Sequence, residues 1–402
     1  MADNATKSKE SQISEVIGAK FGVKNLQLMK YNELKIGRHL HRVSDVGWSS
    51  AQDTCPQSFV VQFVPDPNDD LMKIAYQRGM KFCQRLSNEM LPECLGRADD
   101  SSFLVFSDYL KSASHAQPGR RLELSEVLQV TKLLAKLHVN AMSNEDLVGE
   151  ILYQTRNYGT QKAKSLLSNA GLDLSDGLSK LAALVADENQ KTVHEYVPAE
   201  YLDQIGKVRG AYNIDTLMWP MCAHQEAEMP DVFVHGALTH EHLVLATGDG
   251  GQTDKVIAVD GWQSVHMGNP MFDLACLINA SSSSEVRRQH IEFVLDNYKK
   301  AIAEEIAKRS RQEVTDSCVR ELCPFSTEQL MYAYKAAEKF GMLLGLALIP
   351  QNLEELNNRK PDMTAEDFEN AEYEVMLLLS ELLEDVIALL EQEEFMQYVQ
   401  GQ

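Results

Sequence analysis

The residues best equipped for chemistry crowd into one stretch, Val232–Ile278. It carries Val234-His235-Gly236, then Thr239-His240-Glu241-His242, then Asp260-Gly261-Trp262-Gln263. Gly268-Asn269-Pro270 and Asp273-Leu274-Ala275 close it. Two imidazoles at i and i+2, with Asp260 across a hairpin, offer a ligand set for Zn²⁺ or for metal-assisted hydrolysis. The plainer alternative has His240 facing solvent and His242 filling a loop. A serine or cysteine nucleophile has no support: there is no G-x-S-x-G, and no cysteine has an obvious histidine partner. Asp249-Gly250-Gly251 is a calcium-loop fragment without the rest of the twelve-residue pattern, so it reads as a hairpin turn.

Elements must hold these groups in place. Strands are expected at 26–31, 41–46 and 58–64, separated by Gly37, Gly47, Asp53 and Pro56. A helix with Leu71, Ile74, Met80 and Leu86 on one face follows, and FLVFSDYL (103–110) reads as a buried strand. The opening third is therefore β-β-β-α-β. Val127, Val130, Leu134, Leu137 and Ala141 then recur at helical spacing, with Ser125 as the expected N-cap. Two or three shorter helices are expected over 145–186. A second β-rich island covers 231–260, and helices are expected over 284–309, 326–349 and 364–395. Ser326/Gln329 and Thr364/Asp367 serve as start signals, and Pro350 as a stop.

The 402 residues are 44% hydrophobic and 24% charged, the balance of a globular chain. The longest apolar run, Met342–Ile349, is too short to cross a bilayer. MADNATKSKE lacks the apolar core of a signal peptide. Seven cysteines without a CxxC pair suit reduced thiols and a cytoplasmic protein. A net charge of −21 argues against nucleic acid as a ligand, because phosphates need cations. Residues 1–105 hold 13 basic and 13 acidic groups, whereas the remainder holds 25 and 46, so the whole imbalance lies beyond residue 105.

The segment 232–278 resembles the catalytic region of the choline-kinase and aminoglycoside-phosphotransferase superfamily, and within it the ecdysteroid-kinase-like (CHK kinase-like) family. The resemblance rests on Val234-His235-Gly236, a hairpin, Trp262-Gln263, Gly268-Asn269-Pro270 and Asp273-Leu274-Ala275, and extends from about residue 20 to 390. SFVVQFV is similar to the lysine-bearing third strand, and LLAKLHVNAM (133–142) to the family's A-x-L-H-A helix. The implied fold is α+β, bilobal and protein-kinase-like: a tail over 1–12, an N-lobe over 13–106, a hinge over 107–111, and a helical C-lobe over 112–402 with a hairpin at 231–263. Ser107, Asp108, Tyr109 and Leu110 are the implied adenine-binding hinge.

Phosphoryl transfer runs on positioning and charge compensation, so the resemblance implies a lysine, a helix acid, a catalytic aspartate and Mg²⁺ ligands. This sequence departs at each. Gln62 stands in the lysine's place, Gly79 in the helix acid's, Ala237 in the catalytic aspartate's and His242 in the asparagine's. The metal-binding aspartate's place reads Gly261, with Asp260 one residue early. One residue along a strand turns a side chain to the opposite face unless Gly261 is a local bulge. The turn before the second strand has one glycine, and Arg38, His39, His41 and Arg42 either attract phosphate or belong to an exposed turn. His235 and Asp273 are expected to be structural. The expectation is a pseudokinase that binds a small-molecule or protein partner without ATP or Mg²⁺. The alternative is an atypical ATP-dependent phosphotransferase using Asp260.

Overall fold

A computed structural model describes residues 8–35, 39–49, 55–86, 90–149, 174–187, 189–212, 219–248, 251–311, 319 and 321–400. They fall into two compact units. One comprises Met1–His115 with Leu243–Val265, the other Ala116–His242 with His266–Gln402. The hairpin thus belongs to the first unit. The reason is strand pairing, described below.

The first unit opens with helix α1, Lys9–Phe21. From Ser8 onward the expected loose tail is corrected: Ser8 caps the helix, accepting from the Ser11 N–H, and Gln12 is buried, while residues 1–7 lie outside the described residues. Ile13 and Ile17, at i and i+4, make an apolar stripe that the polar composition around them hides. Strands β1 (Leu28–Lys35), β2 (Leu40–Trp48) and β3 (Phe59–Phe63) follow, then helix α2 (Asp70–Arg85), β4 (Cys94–Arg97) and β5 (Phe103–Ser107). The strands form one antiparallel sheet in the order β1-β2-β3-β5-β4. Central β3 pairs Gln62 with Leu40 on one side and Leu104 on the other. Phe59, Val60 and Val61 are all buried, as a strand covered on both faces requires. Residues of α1 and the sheet, among them Ile17, Val43, Phe59, Val61 and Val105, share one core. A second sheet, ordered β6-β8-β9, joins β6 (Ala113–His115) to the hairpin strands β8 (Leu243–Gly248) and β9 (Gly251–Val259). His115 pairs with Val244 there, and the Val259 N–H donates to the Met90 carbonyl.

The second unit is mainly helical. Helix α3, Leu124–Ser143, starts at Glu123 rather than Ser125. The buried Glu126 carboxylate accepts from the Glu123 N–H and pairs with Arg120 at 2.6 Å. After it come α4 (Leu174–Ala186), short helices α5 (Lys191–Tyr196), α6 (Ala199–Leu202) and α7 (Ile205–Gly210), and strand β7 (Val232–Val234). Much of the expected helical stretch over 145–186 lies outside the described residues. Strand β10 (His266–Gly268) pairs with β7, and α8 (Phe272–Ser281) follows. The helix expected over 284–309 is divided at His290 into α9 (Ser284–Gln289) and α10 (Ile291–Ser310).

Pro350 does not stop its helix. Helix α11 runs from Thr327 to Arg359 with Pro350 inside it, because Asn352 and Leu356 beyond the proline are buried, which offsets the lost hydrogen bond. Ser326 and Gln329 close a reciprocal cap at its start. Helix α12 (Ala365–Gln400) buries Phe368, Val375, Leu379 and Leu382. The architecture is α+β, a β-rich N-terminal part and a large helical remainder, the element order expected of a kinase-like phosphotransferase. Among the described residues no helix is long and apolar enough to cross a membrane.

Candidate functional site

Within the first unit, β3, α2, β5 and the end of β9 line a narrow, partly open pocket with about 20 Å³ of free volume, room for about one water molecule. Gln62, Gly79, Tyr109, Asp260, Gly261 and Gln263 line it together with apolar side chains such as Met80, Leu104 and Phe106. Three positions singled out in the sequence, Gln62, Gly79 and Asp260, thus meet at one place.

Asp260 reaches the pocket because of Gly261. That glycine adopts φ 80°, ψ 23°, the left-handed region that side chains disfavour. The backbone turns sharply there and enters a 3₁₀ turn at Trp262–Ser264. Asp260 and Gln263, on either side of the turn, then line one pocket. The Asp260 carboxylate is nine-tenths buried. Its Oδ2 accepts from the Tyr109 hydroxyl at 3.1 Å and lies 2.6 Å from His115 Nε2. Burial, then the charge of Asp260, holds the Tyr109 phenol well above its ordinary range, so it stays a donor. Burial does the same to the Cys83 thiol on the same wall, which excludes a reactive thiolate.

Gly79 is where α2 meets the 3₁₀ turn. A Cβ at this position would lie 2.6 Å from the Trp262 carbonyl oxygen and 2.9 Å from the Gln263 nitrogen. One residue earlier, the buried Arg78 donates from Nη2 to the Gln263 carbonyl at 3.0 Å. One turn later, Phe82 stacks on Trp262 with ring centroids 4.7 Å apart. This helix face is pressed on backbone.

Three backbone donors of the hinge segment are already engaged. The Ser107 N–H goes to the Glu93 carbonyl at 2.9 Å, the Tyr109 N–H to the Ser107 carbonyl at 2.9 Å, and the Leu110 N–H to Asp108 Oδ1 at 3.2 Å. Arg42 grips Asp108 through Nε at 3.1 Å and Nη2 at 2.9 Å. Burial would raise the Asp108 pKa, but the Arg42 hydrogen bonds and charge hold it below the ordinary carboxylate range. His41 lies 2.6 Å from Glu33, so neither His41 nor Arg42 presents an uncommitted cation to a phosphate. Gly37 and Arg38 lie outside the described residues.

The second unit holds the remaining candidates. Asp273, in the first turn of α8, accepts from the His235 N–H at 2.6 Å and the Gly236 N–H at 3.0 Å. Burial pushes its pKa up to about 7 against the opposing pull of these two donors. His242 lies edge-on to His235, ring centroids 4.7 Å apart, with Nδ1 3.3 Å from the Thr239 hydroxyl. His240 does not face solvent. It is 1% exposed, its N–H donates to Ser281 Oγ at 2.9 Å, and burial lowers its pKa to about 4. His240 and His242 thus occupy separate environments. Among the described residues no group of three or more His, Cys, Asp or Glu side chains is placed to hold a metal ion. Ala237 is fully buried and offers neither charge nor a proton acceptor.

Mg²⁺–ATP, the cofactor the sequence resemblance implies, needs cations or N–H donors for its phosphates and uncommitted carboxylates for its metal. The pocket presents the reverse. It offers a neutral amide at Gln62, a carboxylate already hydrogen-bonded to Tyr109 and close to His115, and an acceptor oxygen on Gln263 that no donor meets. These residues do not fit the group. His115 and Arg78 escaped sequence reasoning. The contacts of His115 and Arg78 span 145 and 185 positions of chain, and only the Trp262-Gln263 motif marked the neighbourhood.

The profile of a family described as "Uncharacterized oxidoreductase dhs-27" matches residues 96–394. No curated protein matches. Similar solved structures include that of the gentamicin–APH(2")-IIa complex, with 15% identity, 83% of this chain and 99% of that chain covered, and a TM-score of 0.38. Another is the macrolide 2'-phosphotransferase MphH from Brachybacterium faecium, with 14% identity, 90% and 98% covered, and a TM-score of 0.35.

Proposed function

This chain belongs to the family described as "Uncharacterized oxidoreductase dhs-27", and within it we propose a kinase-like protein that no longer transfers phosphate and instead binds a small ligand in its N-terminal unit. The observation that supports this reading is the pocket itself: Gln62 and Gly79, the positions that the resemblance aligns with the lysine and the helix acid, line it together with Asp260, one residue short of the aligned metal ligand and already held by Tyr109 and His115. Each of these charges contributes several kcal/mol to lowering the barrier, roughly 3–4 for a single well-aimed group, and losing several together is not made good by a neighbour. Ala237 removes the proton acceptor as well. The oxidoreductase in the family's description does not transfer readily, because the sequence holds no G-x-G-x-x-G for a dinucleotide pyrophosphate.

A second reading has one observation in its favour. Asp260 does line the pocket, so an atypical phosphotransferase using Asp260 remains the competing function. The test is a thermal-shift titration of the full chain with ATP, with and without Mg²⁺, alongside adenosine. We expect no Mg²⁺-dependent shift and no transfer of γ-phosphate to choline, aminoglycoside or steroid acceptors. A large Mg²⁺-dependent shift with ATP but not adenosine, together with turnover lost in Asp260→Asn, would put the second reading first.

A further inference from the structure

Helix α12 has no lysine or arginine in its 36 residues, so its carboxylates depend on cations from other elements. Arg121 meets Glu374 and Glu381, Arg287 and Arg288 meet Asp385, and Lys339 meets Glu393. The acids nearer the start of the helix differ. Glu366 and Glu369 are exposed, Glu372 is half-buried, and none of the three takes part in an ion pair among the described residues. Glu366, Glu369 and Tyr373, at i, i+3 and i+7, fall on one stripe of the helix. Tyr373 is 44% exposed, and Tyr196 of α5 is 42% exposed. Their rings meet edge to face, with centroids 5.4 Å apart and planes at 74°. Neither hydroxyl has a hydrogen-bond partner among the described residues. Glu195, beside Tyr196, is exposed as well. Singly scattered apolar side chains need no explanation on a surface, but these two are the pair of exposed large side chains whose rings touch.

We propose that the face of α5 and α12 around Tyr196 and Tyr373 docks a segment of a partner protein that presents arginine side chains. This face lies in the second unit, and the proposal does not depend on the pocket of the first. Charge and shape select the occupant. A guanidinium stacks flat on a tyrosine ring and still donates sideways to carboxylates and phenol oxygens, which a lysine ammonium does less well. Tyrosine is a frequent anchor of interfaces, because a large rigid ring buries much area at little entropic cost. A nucleic acid or an anionic lipid surface would set phosphates against Glu369 and Glu372. A purely apolar partner would bury those carboxylates without a cation. A second copy packed about a two-fold axis would bring the same acids against one another.

The probe is a fluorescein-labelled peptide of alternating glycine and arginine with three arginines, titrated into the full chain at low salt and read by fluorescence anisotropy. The same peptide with lysine in place of arginine keeps the charge and loses the planar donor. We expect saturable binding of the arginine peptide, with the lysine peptide weaker by about tenfold. Tyr373→Ala and Tyr196→Ala should each weaken the arginine peptide by about tenfold. Glu369→Gln combined with Glu372→Gln should weaken it and flatten its salt dependence. Glu391→Gln is the control: it removes an exposed charge of the same helix about 27 Å along the axis from Tyr373 and should leave binding unchanged. Equal binding of the lysine peptide would overturn the proposal in favour of diffuse charge attraction. So would a loss in Tyr373→Ala no greater than in Glu391→Gln, and so would the absence of saturable binding. Because the comparison of peptides uses the unaltered chain, the test survives a variant that fails to fold. Sedimentation velocity adds one more outcome: a dimer of the chain that Tyr373→Ala dissociates would overturn the proposal and give this face to a second copy.

Discussion

Replacing Gly79 by alanine tests the packing that decides what the pocket can contain. In an unobstructed helix interior, glycine to alanine gains roughly 1 kcal/mol by propensity. At Gly79 the added Cβ would meet the Trp262 carbonyl oxygen at 2.6 Å, its carbon at 2.7 Å and the Gln263 nitrogen at 2.9 Å. All three are backbone atoms, so no side-chain end can swing aside. Either α2 or the 3₁₀ turn must shift by several tenths of an ångström, which loosens the Arg78–Gln263 bond and the Phe82–Trp262 stack. Overpacking of this kind costs about 1–3 kcal/mol, which offsets the propensity gain of roughly 1 kcal/mol and leaves a net loss of up to about 2 kcal/mol. The assay is thermal unfolding by circular dichroism, with hydrogen exchange read at Val265, whose N–H donates to the Trp262 carbonyl. Gly206, in α7, has nothing within 4 Å of an added Cβ, so Gly206→Ala is the control and should stabilise. A Gly79→Ala protein as stable as the parent, with unchanged exchange at Val265, would refute the reasoning. The same clash predicts that Gly79→Glu fails to restore the acid of an active kinase.

Three further outcomes follow from burial and charge. Arg42→Ala should cost about 1–3 kcal/mol, because it strands the largely buried Asp108 carboxylate. Asp108 is held below its ordinary pKa, so the pair stabilises above the unfolded value and is lost as pH falls; the melting-temperature gap between parent and variant should shrink in acid, and a gap constant with pH would sink the idea. His138, on α3, has its pKa lowered to about 3 by burial and sits 2.7 Å from the Tyr298 hydroxyl. A folded state that resists this proton loses stability as pH drops below about 6.5, so His138→Gln should flatten the melting curve between roughly pH 6.5 and 4. Asp273 has the opposite sign: its raised pKa makes its contribution largest in acid and smaller as pH rises toward about 7. Asp273→Asn should cost about 1–3 kcal/mol by turning an NH₂ toward one of two donor N–H groups, with a larger gap at pH 5 than at pH 8; a variant with unchanged melting temperature throughout would contradict the anchoring role.

Local pattern determined a good deal. The alternation around Phe59–Phe63, the helical spacing from Val127 to Ala141 and the Ser326/Gln329 cap each encode an element through neighbouring residues, and each element is present. Residue chemistry alone placed a neutral amide at Gln62 and an alanine at 237. Where tertiary contacts outweigh local signals, the sequence misled. Pro350 reads as a stop, yet burial of Asn352 and Leu356 carries α11 past it. The polar start reads as a tail, yet a helix begins at Lys9 and buries Gln12. His240 reads as exposed, yet Ser281, forty-one positions away, covers it. The direction of Asp260 was undecidable from spacing, because one residue along a strand reverses a side chain and only the left-handed turn at Gly261 resolves which way it faces. Its neighbours Tyr109 and His115, and the orphaned oxygen of Gln263, belong to no local pattern. Hydrogen bonding in a pocket is a property of distances, and distances between residues so far apart in the chain exist only once the chain has folded.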